Sequence, residues 1–332
     1  MKPNRLAIAL LLAAPLASAE FKNTSYSFFS AGAEYVSYAE HLDDFGGQKV
    51  DSSYSAVNMV QRSGGYTAVN DKLGFFIKTA STLIANEETE EWEADGLSGA
   101  IQKDVAAMNF QMLDLMLAYH MGNGGYWLGG VHYQKISFSR FGWENTSQTD
   151  AFAQLVEDDM RADAVLMAQI TDLVNSGTAV DSAGNVITTV DQYFEAIRYD
   201  PEQTADVVFE DASNFSITGG YEFDSYFMNQ SEGLRYTYGG RLGLAVYENL
   251  LNSGRETAMT RSFGGGLDLH LSAGIGYQFT PEIGTLLLAE GNATWRDEIT
   301  EKLSDGESQR TVTLPENTFY ALSLTASLFW NF

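Results

Sequence analysis

Hydrophobic and polar side chains take turns most regularly over the last fourteen residues, Phe319 to Phe332. Tyr320, Leu322, Leu324, Ala326, Leu328, Trp330 and Phe332 form one set, apolar but for the tyrosine tip. Phe319, Ala321, Ser323, Thr325, Ser327, Phe329 and Asn331 form the other, which is small and polar through its middle. Successive side chains of a strand point to opposite faces, so one face requires an apolar medium and the other accepts water. Tyr320 stands about 10 residues from Trp330, within the ~9–11 that a tilted strand needs to cross a bilayer between two aromatic belts.

The alternation recurs upstream. Phe29, Ala31, Ala33 and Tyr35 share a face of a strand over Ser25–Ala39, and a polar loop is expected over His41–Asp51. A weaker strand, Ser53–Arg62, is placed mainly by position, and Ser63-Gly64-Gly65 reads as a turn. Asp71–Leu83 alternates except at Phe76, and an acidic loop follows over Asn86–Asp95. Ala107–His120 carries Leu113, Leu115, Leu117 and Tyr119 on one face, with Asp114 and His120 on the other. Asn123-Gly124 is a hairpin signal. In Tyr126–Ser139 the phase is lost around His132 and Gln134, and a bulge is expected to restore it. Four cleaner strands follow, around Phe215–Asp224, Leu234–Val246, Leu267–Phe279 and Ile283–Arg296, before the terminal one.

Between Gly142 and Ser213 the period changes. Phe152, Leu155, Val156, Met160, Leu166, Ile170, Leu173 and Val174 fall at helical spacing, predicting one amphipathic helix that ends before Gly177. A second short helix is predicted over Val190–Tyr199, stopped by Pro201. Helices do not belong in a barrel wall, so 142–213 is an acidic insert, either an extracellular loop or a plug in the lumen. The predicted fold is all-β: a transmembrane antiparallel up-and-down barrel of about ten strands, with twelve as the other count. A soluble sandwich would show polar outer faces, whereas these apolar faces are continuous and aromatic-ended.

The amino terminus sets the compartment. Lys2 and Arg5 precede the apolar run Leu6–Leu16, and Ala17-Ser18-Ala19 supplies small residues for cleavage, so 1–19 reads as a secretory signal peptide and 20–332 as the mature barrel. The first strand starts so soon that no passenger domain is expected. The absence of cysteine excludes disulfide staples and thiol chemistry. A formal net charge of −25 excludes nucleic acid as a partner and allows divalent cations or basic partners. No cofactor motif and no metal-ligand spacing is present; Glu87–Glu93 reads as a solvated acidic segment, or a weak cation site bridging lipopolysaccharide phosphates.

Turn registers suggest what fills the lumen. A turn centred on Pro281 sets Asp268 opposite Thr294 and His270 opposite Asn292, with Glu290 and Arg296 as diagonal neighbours. A turn between Gln230 and Ser231 sets Asp224 opposite Thr237 and Glu222 opposite Gly239, with Arg235 and Arg241 on the diagonals. Glu222, Asp224, Arg235, Arg241, Asp268, His270, Glu290 and Arg296 are therefore the candidate lumen network, either a salt-bridged filling or a polar solute path.

An alternating carboxy-terminal strand that stops on Phe332 resembles the bacterial outer-membrane β-barrel proteins. The layout is similar to the solitary autotransporter-like barrels, although true autotransporters carry a passenger and a pore-threading helix. The resemblance implies the outer membrane of a Gram-negative bacterium, contact with its lipids and lipopolysaccharide, and recognition of Phe332 by the barrel-assembly machinery. Asp268-Leu269-His270 resembles the Asp-x-His element of the omptin proteases, whose facing acidic pair has no Asp-x-Asp counterpart here. His41, His120 and His132 lack the serine partner that outer-membrane lipid hydrolases use. The expected function is non-enzymatic, a narrow porin-like channel for small solutes. The alternatives are a surface receptor or adhesion barrel acting through 142–213, and an omptin-like or lipid-acting hydrolase.

Overall fold

The computed structural model describes residues 25–45, 47–203, 207–229, 232–253, 258–304 and 309–331. The proposed signal peptide and Phe332 lie outside the described residues. The strands are β1 (Tyr26–Phe45), β2 (Gln48–Ala68), β3 (Leu73–Ile84), β4 (Glu87–Ala94), β5 (Ala100–His120), β6 (Gly125–Asn145), β7 (Val208–Asp224), β8 (Gly233–Asn252), β9 (Met259–Arg261), β10 (Gly266–Gln278), β11 (Ile283–Arg296), β12 (Ile299–Ser304), β13 (Gln309–Leu314) and β14 (Glu316–Asn331). β1 pairs antiparallel with both β2 and β14, which closes the ring. β3 and β4 lie end to end between β2 and β5 and together make one wall position. The wall thus has ten positions, and closure leaves no sheet edge to satisfy in lipid. β12 and β13 pair as a separate two-stranded antiparallel sheet.

The outward face explains the alternation. Leu242, Ile275, Leu287, Leu322 and Leu324 are exposed on it. Tyr119, Trp127, Tyr236, Tyr277 and Trp330 mark its lower border, and Tyr35, Phe215, Trp295 and Tyr320 its upper one. Strands at the first five wall positions run well past the upper border.

Several expected boundaries move. Ser63-Gly64-Gly65 is not a turn: β2 runs through it to Ala68, and a Cβ on Gly64 would meet the Ile77 carbonyl oxygen at 2.2 Å. Glycine is there for close strand approach. The expected loop Asn86–Asp95 is mostly β4, whose glutamates find partners on β5 and β6. The bulge expected in β6 lies at Gly142, where the register with β5 slips between Val105–Phe141 and Lys103–Glu144 and φ is +66°. Around His132 the strand is regular. Its phase is masked because Tyr126, Leu128 and Phe138 face inward and are as apolar as the outer face.

The insert occupies 146–207, between β6 and β7. The single expected helix is two, α1 (Thr149–Ala162) and α2 (Ala164–Asn175), because Asp163 turns extended and caps the amides of Val165 and Leu166 at 2.8 and 3.1 Å. α3 (Val190–Ala196) starts with a Thr189–Gln192 capping box. Phe152 of α1, wholly buried, seats on Val50, Ala94 and Ile101, with Leu42, Trp92 and Tyr199 beside it. These are the upper ends of β1, β2, β4 and β5, so the insert caps the barrel mouth on that side. α4 (Tyr226–Asn229) closes the opposite end.

Candidate functional site

The lumen is a packed interior in three levels. The middle level takes an inward side chain from every wall position: Glu34, Arg62, Lys78, Asp114 and His132, then Glu222, Arg241, His270, Glu290 and Ser323. Arg62 lies 2.7 Å from Glu34, 2.6 Å from Glu290 and 2.6 Å from Ser323 Oγ. Lys78 also pairs with Glu290. On the other side Asp114 lies 2.7 Å from His132 Nδ1 and 3.0 Å from Arg241, while Glu222 accepts from Tyr126 at 3.0 Å. His270 stands between the two groups, beside Arg241 in the strand register, 3.6 Å from Glu290 and 2.9 Å from the Asn292 side chain. Such charges leave water only with partners of this quality.

Apolar clusters lie above and below on part of the section, with Phe110, Phe138 and Phe319 in one and Phe28, Phe76 and Phe329 in the other. At the floor, Asp224 accepts two bonds from Arg235 at 3.1 and 2.6 Å, and the guanidinium stacks over Phe329. Phe227 of α4 inserts among the rings of Tyr26, Tyr66, His120 and Tyr126 and corks the end.

At the mouth, Arg140 is gripped by carboxylates from three walls. It lies 2.6 Å from Glu90, 3.0 Å from Glu210 and 3.3 Å from Glu40. It packs against Phe138 and Trp92, and Trp92 Nε1 donates to Asp104 at 2.9 Å. Burial, then the neighbouring Glu90, push the Asp104 carboxyl up to about 8. Burial likewise raises Glu210. A polar strip on the β6–β11 side descends from this mouth. It encloses cavities of 30 Å³, beside Glu210, Glu248 and Arg296, and 20 Å³, beside His132, Asp268 and His270. Each has room for one or two waters.

The eight residues expected from turn register do not form one network. Asp268 pairs with Thr294, His270 with Asn292, Asp224 with Thr237 and Glu222 with Gly239 in the strand registers. The side chains then separate by height. Asp224–Arg235 is the floor, Glu222, Arg241, His270 and Glu290 belong to the middle, and Asp268 binds Arg296 at 2.7 Å above them. Arg296 and Glu290 are not partners; Glu290 reaches across the lumen to β2 and β3 instead. Glu34, Arg62, Lys78, Asp114 and Arg140 were missed. Their signal was a charge on the inward phase of an otherwise apolar strand, but their partners lie across the barrel, where turn register does not reach. Among the described residues no group of three or more His, Asp or Glu side chains is set to hold a metal.

No family model and no curated protein matches the sequence. Among solved structures, the chain is similar to the outer membrane protease OmpT from Escherichia coli. The TM-score is 0.55 at 10% identity, over 95% of this chain and 99% of that one. Its similarity to the translocator domain of autotransporter NalP from Neisseria meningitidis has a TM-score of 0.33 at 8% identity, over 93% and 89% of the two chains. For Neisserial surface protein A the values are 0.30 and 10%, over 92% and 99%. The first of these shows the fold, that of an outer-membrane β-barrel.

Proposed function

We propose that this outer-membrane barrel does not conduct, and that it works at the cell surface by binding a partner with clustered positive charge through its cap and acidic mouth. The middle level carries this reading: all ten wall positions send a side chain inward there, and ion pairs cross the lumen in two sets, Arg62 and Lys78 to Glu290 and Arg241 to Asp114. A solute channel requires a continuous path, and these ion pairs cross the section where it would run, beside cavities with room for one or two waters each. What remains available is the exposed end. Residues 146–207 hold twelve carboxylates against Arg161 and Arg198. Such a field concentrates and steers cations. The apolar band is read as meeting outer-membrane lipid, the upper loops lipopolysaccharide, and Phe332 the assembly machinery.

The test uses the full chain in lipid nanodiscs with a lysine-rich peptide as probe. Binding is expected to weaken steeply with salt, to vanish for a peptide of glutamates, and to be lost when 146–207 is replaced by a short linker. Binding that ignores salt and the deletion overturns the reading. Hydrolysis has less support. Asp268 is engaged by Arg296 and Ser216, and His270 is buried in the middle level. The carboxyl pair on the opposite wall, Glu90 with Asp104, is engaged by Arg140 and Trp92.

A further inference from the structure

We propose that Glu90 and Asp104 share one proton, and that this proton latches the helical cap onto the barrel mouth. The strand register sets the two residues directly opposite each other on β4 and β5. Like charges in that position repel, and here the residues are 0% and 2% exposed. Arg140 settles only half of the conflict. Its Nε and Nη2 go to the two oxygens of Glu90, at 2.6 and 3.0 Å, and its remaining contacts go to Glu40 and Glu210. Four carboxyl groups thus surround one guanidinium. Asp104 is the one without a cation: Oδ1 takes the Trp92 indole N–H, and Oδ2 is buried with no protein partner. A carboxyl so placed is stable when neutral, with its proton directed to Glu90.

The cap rests on the neighbours of this pair. Trp92, which holds Asp104, is also part of the seat for Phe152. Tyr199 of the insert donates its hydroxyl to Gln102, two residues along β5. Burial and the Asp104 carboxyl both raise the Tyr199 phenol. Tyr38, bonded to Glu40, faces Arg140 from β1. Glu90, Glu40 and Glu210 supply the negative charge around Asp104, Arg140 the positive charge, and Tyr38 and Tyr199 are neutral phenols. Asp104 lies above the membrane, since the outer face of β5 has already turned polar at Gln111 and Asn109.

The sign follows from linkage. With the cap lifted, water reaches Asp104 and relieves its burial, and its carboxyl falls toward the ordinary value near 4. With the cap seated the value is about 8. The closed state therefore binds one more proton between those limits, and closure weakens by up to tenfold per pH unit as pH rises across them, then levels. The latch does not depend on what the cap binds.

The experiment follows amide hydrogen exchange of α1 in the full chain in lipid between pH 5 and 9, corrected for intrinsic rates. The wild-type opening constant is expected to climb about tenfold per unit and flatten near pH 8. Asp104→Asn keeps the indole acceptor but has no proton to lose, so its profile is flat and protected. Glu90→Gln leaves burial but removes the neighbouring charge that also raises Asp104, so the plateau arrives at lower pH. Phe152→Ala opens the cap at every pH and shows that the readout reports cap seating. A flat wild-type profile, a slope that survives Asp104→Asn, or a plateau unmoved by Glu90→Gln overturns the latch.

Discussion

Arg62 shows what a single residue does here. It is almost fully buried between Glu34 and Glu290, which have come out of water with it. Removing one partner of such a set leaves a bare charge, and the loss exceeds what the intact set contributes. Arg62→Leu should therefore destabilise the barrel by about 3–5 kcal/mol. Lys103, paired with Glu91 at the exposed rim, should change stability by only ~0–1 kcal/mol when replaced by alanine. Urea unfolding in lipid, followed by tryptophan fluorescence, gives both values; equal losses would contradict the layered lumen. The asymmetry also explains what the sequence revealed. Asp268 and Thr294 were found because they are neighbours across a short turn. Arg62 and Glu290 meet across the lumen, 228 residues apart in numbering, and no local pattern encodes that meeting.

At the scale of elements, alternation identified strands wherever one face met lipid and the other was polar. It faltered where the inward face was apolar as well, as in β6, and where the outward face was polar above the membrane, as in β4. The helices were legible by period but not by boundary. The apolar stripe continues across Asp163, so one helix was expected, and the break comes from a competing cap. Asp163→Ala removes both acceptor bonds and should cost the insert about 1 kcal/mol. It should leave barrel unfolding where it was, since Asp163 is an exposed residue of the cap. Protease cleavage within 146–207, read beside the fluorescence transition of the barrel, separates the two. A coupled loss would mean that insert and wall fold as one unit.

At the scale of the molecule, three closures stand in series: the cap at the mouth, the ion-pair level in the middle and the Phe227 cork at the floor. A lumen helix acting as the plug would predict that deleting the insert opens a pore. The insert instead sits on the rim, with Phe152 seated against Val50 and Ala94, and the bonded level below it is untouched by its removal. Series closures also make the ends individually dispensable. Replacing 146–207 by a short linker should leave a planar bilayer silent, and so should Phe227→Ala, which empties only an aromatic socket. Both variants together should still not conduct, because Glu34, Arg62, Lys78 and Glu290 continue to bridge the section. Steady unitary currents from either single variant would place the seal at that end and remove the middle level from its role. Currents only when Arg62 and Lys78 are also replaced would locate the seal at the ion pairs, and would make the barrel's silence a consequence of the same charges that hold it together.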